Sequence, residues 1–193
     1  MLSLIGFATL FASTSHAGAL GIISHSGAYQ GKSYYYRSDG QQGIDSQFRP
    51  NYGIGIEALL GDNDDRLQGL IRFYINQDVP VVNPEVPSSE EYTYTHPDYE
   101  SLSPRTDGLI SVGLQWGLWG EPTAFQLIAT TSLTSCFWTV DNLEYVSLEG
   151  GLGATYTLGE RIQFHGTAAF SPRYKKQLFL AGNGYLSVRY LFD

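Results

Sequence analysis

From Tyr52 onward the apolar residues return at every second position, and the stretches that keep this period are separated by turn-forming clusters. Tyr52, Ile54, Ile56, Ala58 and Leu60 share one face, with Gly53, Gly55, Glu57 and Leu59 on the other. After Gly61-Asp62-Asn63-Asp64-Asp65 the pattern resumes, with Leu67, Ile71, Phe73 and Ile75 set against Gln68, Arg72 and Asn76. Ile110, Val112, Leu114, Trp116 and Leu118 then oppose Ser111, Gly113 and Gln115. Beyond the Gly120-Glu121-Pro122-Thr123 turn, Phe125, Leu127, Ala129, Thr131 and Leu133 oppose Gln126, Ile128, Thr130, Ser132 and Thr134. A fifth run sets Val146, Leu148, Leu152, Ala154, Tyr156 and Leu158 against Ser147, Glu149, Gly151, Gly153 and Thr155. The turn Leu158-Gly159-Glu160-Arg161 leads to Ile162, Phe164 and Phe170 against Gln163, His165 and Thr167. The last run sets Leu186, Val188, Tyr190 and Phe192 against Tyr185, Ser187, Arg189 and Leu191.

These seven strands leave room for an eighth between about Ala19 and Tyr36, whose Leu20, Ile22, His25, Gly27, Tyr29 pattern does not define a register. Connections alternate in length. Those at 61–65, 120–123 and 158–161 are short, and those near 37–47, 78–106, 135–142 and 172–177 are longer on average. Short turns at one end and long loops at the other are the mark of a membrane barrel, with the short turns periplasmic. The fold class expected is all-β: an eight-stranded antiparallel up-and-down transmembrane β-barrel.

The character of the two faces decides which way the barrel is turned. One face is aliphatic and aromatic with no charge in the strands; the other holds Gly, Ser, Thr and Gln with isolated charges. A water-exposed face would be rich in Lys and Glu, so the polar face is assigned to a narrow interior and the apolar face to lipid. Trp116, Trp119, Tyr156, Phe170, Tyr190 and Phe192 stand near strand ends, where aromatic girdles form. The competing arrangement is a secreted, lipocalin-like barrel with its apolar face inward.

Composition agrees. Charged residues make up 16% of the chain, against about 25% in soluble domains. The net charge of −8 offers no basic stripe for nucleic acid. Cys136 is single, which rules out an intrachain disulfide. Met1 to Ala12 is apolar and uncharged, and Ser15 and Ala17 supply an A-x-A-like site. Residues 1–17 are therefore expected to be a secretory signal, without the usual basic start, and residues 18–193 the barrel.

With its strands in place the chain resembles the small bacterial outer-membrane barrels typified by the OmpA membrane domain, OmpX and OmpW, in pattern rather than in one motif. The end of the chain, Leu186-Ser187-Val188-Arg189-Tyr190-Leu191-Phe192, is similar to the terminal strand that the barrel-assembly machinery recognises in that family. Leu186, Val188, Tyr190 and Phe192 would be the signal. The chain adds Asp193 after the aromatic and has Ser187 where the signal usually has glycine. The resemblance implies residence in the bacterial outer membrane, lipid and the assembly machinery as partners, and a porin-like build.

By parity Glu57, Arg72, Gln115, Gln126, Glu149, His165 and Arg189 share the interior, and in so narrow a space the charges must pair. Glu57 with Arg72 is the first pair expected, and Glu149 with Arg189 the second; no other full charge is expected on that face. Some barrels of this size act on lipid A, and their deacylases are similar in having a His-x-Ser pair on one strand face. The nearest match here is His165-Gly166-Thr167, pointing inward, while His25 and Ser26 are adjacent and so face opposite ways. No catalytic residue, cofactor or metal is assigned. The connection at 78–106 carries Pro80, Pro84, Pro87, Pro97 and Pro104, the acids Glu85, Glu90, Glu91, Asp98 and Glu100, and Tyr92, Tyr94 and Tyr99. Rigid backbone and low-entropy aromatic area suit a recognition loop. The expected function is a structural or interaction role through external loops, with a protein partner there. The alternatives are a lipid-A-modifying enzyme and a narrow small-solute channel.

Overall fold

A computed structural model describes residues 18–37, 42–78, 92–93, 106–139, 146–174 and 178–192. Eight long strands carry the fold. They are β1 (Ala19–Arg37), β2 (Gln42–Leu60), β3 (Leu67–Asp78) and β4 (Thr106–Gly120). β5 (Phe125–Thr139), β6 (Val146–Leu158), β7 (Ile162–Phe170) and β8 (Ala181–Leu191) complete the set. Three two-residue pieces, Tyr92–Thr93, Arg173–Tyr174 and Leu178–Phe179, add short ladders at one end.

Every strand pairs antiparallel with its sequence neighbour, and β1 also pairs with β8, from Ala19↔Leu191 to Tyr29↔Ala181. The sheet is thereby closed on itself, which leaves no free edge within the wall. The register of β1, open at the level of pattern, is set on both sides: Gly21 lies between Glu57 of β2 and Arg189 of β8.

The three tight turns share one device. Gly61, Gly120 and Gly159 take positive φ angles of 122°, 89° and 66°, a region that costs other residues strain and glycine little. These turns lie at the same end as Gly18 and Phe192, whose backbones hydrogen-bond at 2.9 Å. Asn63 Nδ2 donates to the Phe192 carbonyl at 2.7 Å, which ties the last residue of the wall to the first turn.

At the opposite end the wall is uneven. β8 leaves β1 above Tyr29, and β3 leaves β2 above Asn51, yet β1 and β2 stay paired up to Tyr36↔Gln42. The long connection expected at 37–47 is therefore mostly strand, and β5 likewise runs to Thr139 through the connection expected at 135–142. Both extensions escaped the pattern for one reason. A main-chain ladder can form where the side chains show no two-residue alternation, and such a strand leaves no trace in the apolar period. Pairing of β4 with β5 shifts register between Gly108 and Leu109 and again between Gly117 and Trp119, so that Leu118 and Trp119 both face outward.

The two faces differ as their chemistry requires. Outside, Leu152 and Leu186 are 66% and 67% exposed, and Ile22, Ile54, Val112, Leu133, Leu148, Phe164 and Val188 join them in an apolar belt. Inside, Glu57, Arg72 and Arg189 are each 1% exposed. A soluble protein does not show water a continuous apolar wall while enclosing its charges. The lipocalin-like alternative, apolar side inward, is excluded, and the wall is one that spans a membrane.

Candidate functional site in the barrel interior

Two conditions set what the interior can be: eight strands leave room for side chains and little else, and any charge placed there must find a partner. Glycines make the space. Gly21, Gly55, Gly113, Gly117, Gly151 and Gly153 face inward among the long polar groups, and the Arg189 and Gln126 side chains lie where Gly21 and Gly117 would carry a methyl.

At the end nearest the short turns Ala19, Leu59, Leu70 and Leu191 form a buried apolar cluster. Next to it the Glu57 carboxylate joins three strands. Its Oε2 accepts from Arg72 Nε at 3.1 Å, its Oε1 from Arg189 Nε at 2.7 Å, and Ser187 Oγ donates to Oε1 as well. His165 Nδ1 stands 3.6 Å from the same oxygen. Arg189 extends the network through Nη1 to Gln115 Oε1 (3.2 Å) and Gln163 Oε1 (3.0 Å). Gln115 in turn donates to Gln68, and Gln68 to the Asp62 carbonyl in the first turn.

A second carboxylate lies further toward the long-loop end. Glu149 accepts from Tyr185 OH at 2.6 Å, Asn183 Nδ2 at 3.0 Å and Thr134 Oγ1, and Thr134 also touches Ser111 at 3.0 Å. Tyr185 links the two networks, because the Arg72 guanidinium lies 4.3 Å above its ring, a cation–π contact. His25 is wedged between Tyr74 and Tyr185, with ring centroids 5.2 and 5.1 Å away. Ile23, Tyr74, Leu109, Cys136 and Tyr185 form the apolar part of this layer, so Cys136 is a buried wall residue.

The structure thus brings Glu57, Arg72, Gln115, His165 and Arg189 into one network and keeps Glu149 and Gln126 out of it. Two expectations are corrected. Arg189 pairs with Glu57 and not with Glu149, because Gly21 leaves the way across β1 open; Glu149 is satisfied by neutral donors. The interior also holds two further full charges, Asp107 and Arg173, 2% and 6% exposed. Arg173 falls in the connection expected at 172–177 and Asp107 just before the run that starts at Ile110, because the bounds of β4 and of the Arg173–Tyr174 piece are invisible to apolar period. Tyr74, Asn183 and Tyr185 share the interior parity of Arg72 and Arg189, and that parity was the available signal for them.

Thr167 Oγ1 meets His165 Nε2, whose Nδ1 faces Glu57, in the order of a nucleophile, a base and an acid. All three side chains are buried in the barrel interior. The arrangement is a hydrogen-bonded relay within the network. Among the described residues no group of three His, Cys, Asp or Glu side chains is placed to hold a metal ion.

Of the external-loop candidates, Tyr92 opens the Tyr92–Thr93 piece that pairs with Tyr36 and Arg37 of β1. Tyr94, Tyr99, Glu90 and Glu91 lie outside the described residues, as does the expected signal at 1–17. Leu186, Val188, Tyr190 and Phe192 all face outward, and Tyr190 accepts a hydrogen bond from Arg161 Nη1 at 2.8 Å.

No family model matches the sequence, and no curated protein matches it. Among solved structures the chain is similar to Ail, the attachment invasion locus protein of Yersinia pestis, at 12% identity and a TM-score of 0.43, over 91% of this chain and 99% of that one. It is similar to Neisserial surface protein A at 10% identity and a TM-score of 0.42, over 90% and 99%. For OmpT of Vibrio cholerae the values are 11% and 0.31, over 90% of this chain and 55% of that one. The closed wall of eight antiparallel strands, apolar toward lipid and polar within, is the architecture of a bacterial outer-membrane β-barrel.

Proposed function

We propose that this barrel is a non-conducting, non-enzymatic outer-membrane component that serves as an interaction platform at the cell surface. The observation that carries this reading is the β1–β2 ribbon. It continues past the last wall pairing of β1, from Gln30↔Phe48 to Tyr36↔Gln42. Seven residue pairs at ~3.4 Å per residue give a projection of roughly 24 Å. Among the described residues only Tyr92–Thr93 pairs with the outer edge of this ribbon, at Tyr36 and Arg37. An edge of that kind accepts extended segments of other proteins. The ribbon lies at the long-loop end, which in such barrels faces outside. The filled interior supports the negative half of the reading: arginines, glutamines and tyrosines occupy the space a solute would need.

The test is a photo-crosslinking residue at Tyr34 in intact cells, with the same residue at lipid-facing Leu148 as control. A discrete protein adduct at position 34, absent at position 148, is expected. Adducts to lipid alone at both positions would sink the platform reading. Liposome swelling and lipid A mass spectra on the same preparations address the channel and the enzyme; neither is expected to change.

A further inference from the structure

We propose that the inner face of the closing seam, β1 against β8, is a register key that selects one closure of the barrel. Side-chain alternation alone cannot select it. A slip of one residue turns the apolar face inward and is forbidden, but a slip of two keeps every face as it was. The outward residues of β8, Leu186, Val188 and Tyr190, would meet lipid equally well after such a slip.

The inward residues would not. Read from the short-turn end, β1 presents Gly21, Ile23, His25 and Gly27, and β8 presents Arg189, Ser187, Tyr185 and Asn183 as their partners. Each gap on one strand takes a long side chain from the other. A methyl on Gly21 would stand 2.8 Å from Arg189 Cγ, and one on Gly27 would stand 2.6 Å from Asn183 Oδ1. Between them the fully buried Ile23 lies beside the small Ser187, and His25 stacks on Tyr185.

The gap at Gly21 is also the route by which Arg189 crosses β1 to reach Glu57 on β2, at 2.7 Å. Slipping β8 by two residues sets Arg189 against Ile23 or Ala19, either of which obstructs that route. The buried guanidinium then loses its carboxylate and one carboxylate oxygen its arginine, a loss of charge pairing that a protein interior tolerates poorly. A single polar group fixing the register of an otherwise degenerate apolar repeat is the known use of such residues in coiled coils. The key therefore spans three strands: acceptor on β2, gap on β1, charge on β8.

The test uses disulfide mapping across the seam in a Cys136→Ser background. Ile22→Cys with Val188→Cys reports the closure described here, because Ile22 and Val188 are outward register partners. Ile22→Cys with Tyr190→Cys or with Leu186→Cys reports a slip of two residues either way. The key is then moved with Gly21→Ile, Ile23→Gly, Glu57→Gly and Gly55→Glu, which shifts gap and acceptor together by two positions. The expected result is a two-residue shift of the crosslink, from position 188 to position 190. The key is removed with Glu57→Gln, Arg72→Met and Arg189→Met together, which orphans no charge. There the 186 or 190 product is expected to appear beside the 188 product. A crosslink confined to 188 in the moved-key barrel overturns the proposal. If the moved-key chain does not fold, the removed-key barrel decides alone, and a crosslink confined to 188 there overturns it equally.

Discussion

Glu57 is the residue on which the interior turns, since each of its oxygens holds a different arginine. Removing one member of a buried pair typically costs about 3–5 kcal/mol, whereas removing both costs much less than the sum. We therefore expect Glu57→Gln with Arg72→Met, and Glu57→Gln with Arg189→Met, to show strong coupling in urea unfolding of the refolded barrel. Glu149→Gln with Arg189→Met should be close to additive, because those side chains share no hydrogen bond. Coupling confined to the Glu149 and Arg189 combination would mean that the pairing is assigned to the wrong carboxylate. Tyr185→Phe is a finer probe. It keeps the ring beneath Arg72 but takes a donor from Glu149, at an expected cost of about 1–3 kcal/mol. Full stability after that change would show that Glu149 does not depend on the phenol.

At the scale of the strand, the direction of each face is open to test by substitution. Val112 and Leu152 point outward in mid-strand, on β4 and β6. Arginine at such a depth costs about 2–4 kcal/mol, so Val112→Arg and Leu152→Arg should lower insertion yield and unfolding midpoint. Thr130→Gln, which faces the interior beside Gly151, should be milder. Equal tolerance at all three positions would contradict the assignment of the faces. The strands also show where periodicity stops being informative. Tyr52–Leu60 announces itself because lipid selects every second residue, but β2 begins ten residues earlier, at Gln42. Before Tyr52 the residues of β2 keep no such alternation, and only the main-chain ladder marks the segment as strand.

The whole molecule makes two further commitments, to its orientation and to its impermeability. Protease added to intact cells should cleave within 79–105 and spare the turns at 61–65 and 159–160, which lie at the end where the wall's first and last residues meet. Cleavage restricted to those turns would invert the topology. In planar bilayers the purified barrel should give no unitary conductance, because the Glu57 network and the apolar cluster of Leu59 and Leu70 lie in successive layers of the same narrow interior. Steady channels in the unaltered protein would mean that these layers open at rest.

The sequence by itself determined what depends on local chemistry. Seven of the eight strands, the three tight turns, the apolar outer face and the inward direction of Glu57, Arg72, Glu149, His165 and Arg189 follow from a two-residue period and from turn-forming residues. The tertiary structure decided what depends on the neighbour across the ladder. Parity places Arg189 inside but says nothing of which carboxylate it meets. That answer needs the registers of β1 with β2 and of β1 with β8 at once, which set Gly21 between Glu57 and Arg189. Asp107 and Arg173 became interior charges for the same reason. Their strands are held by main-chain pairing with β5 and β6, and a hydrogen-bonded ladder can form where side chains show no alternation at all.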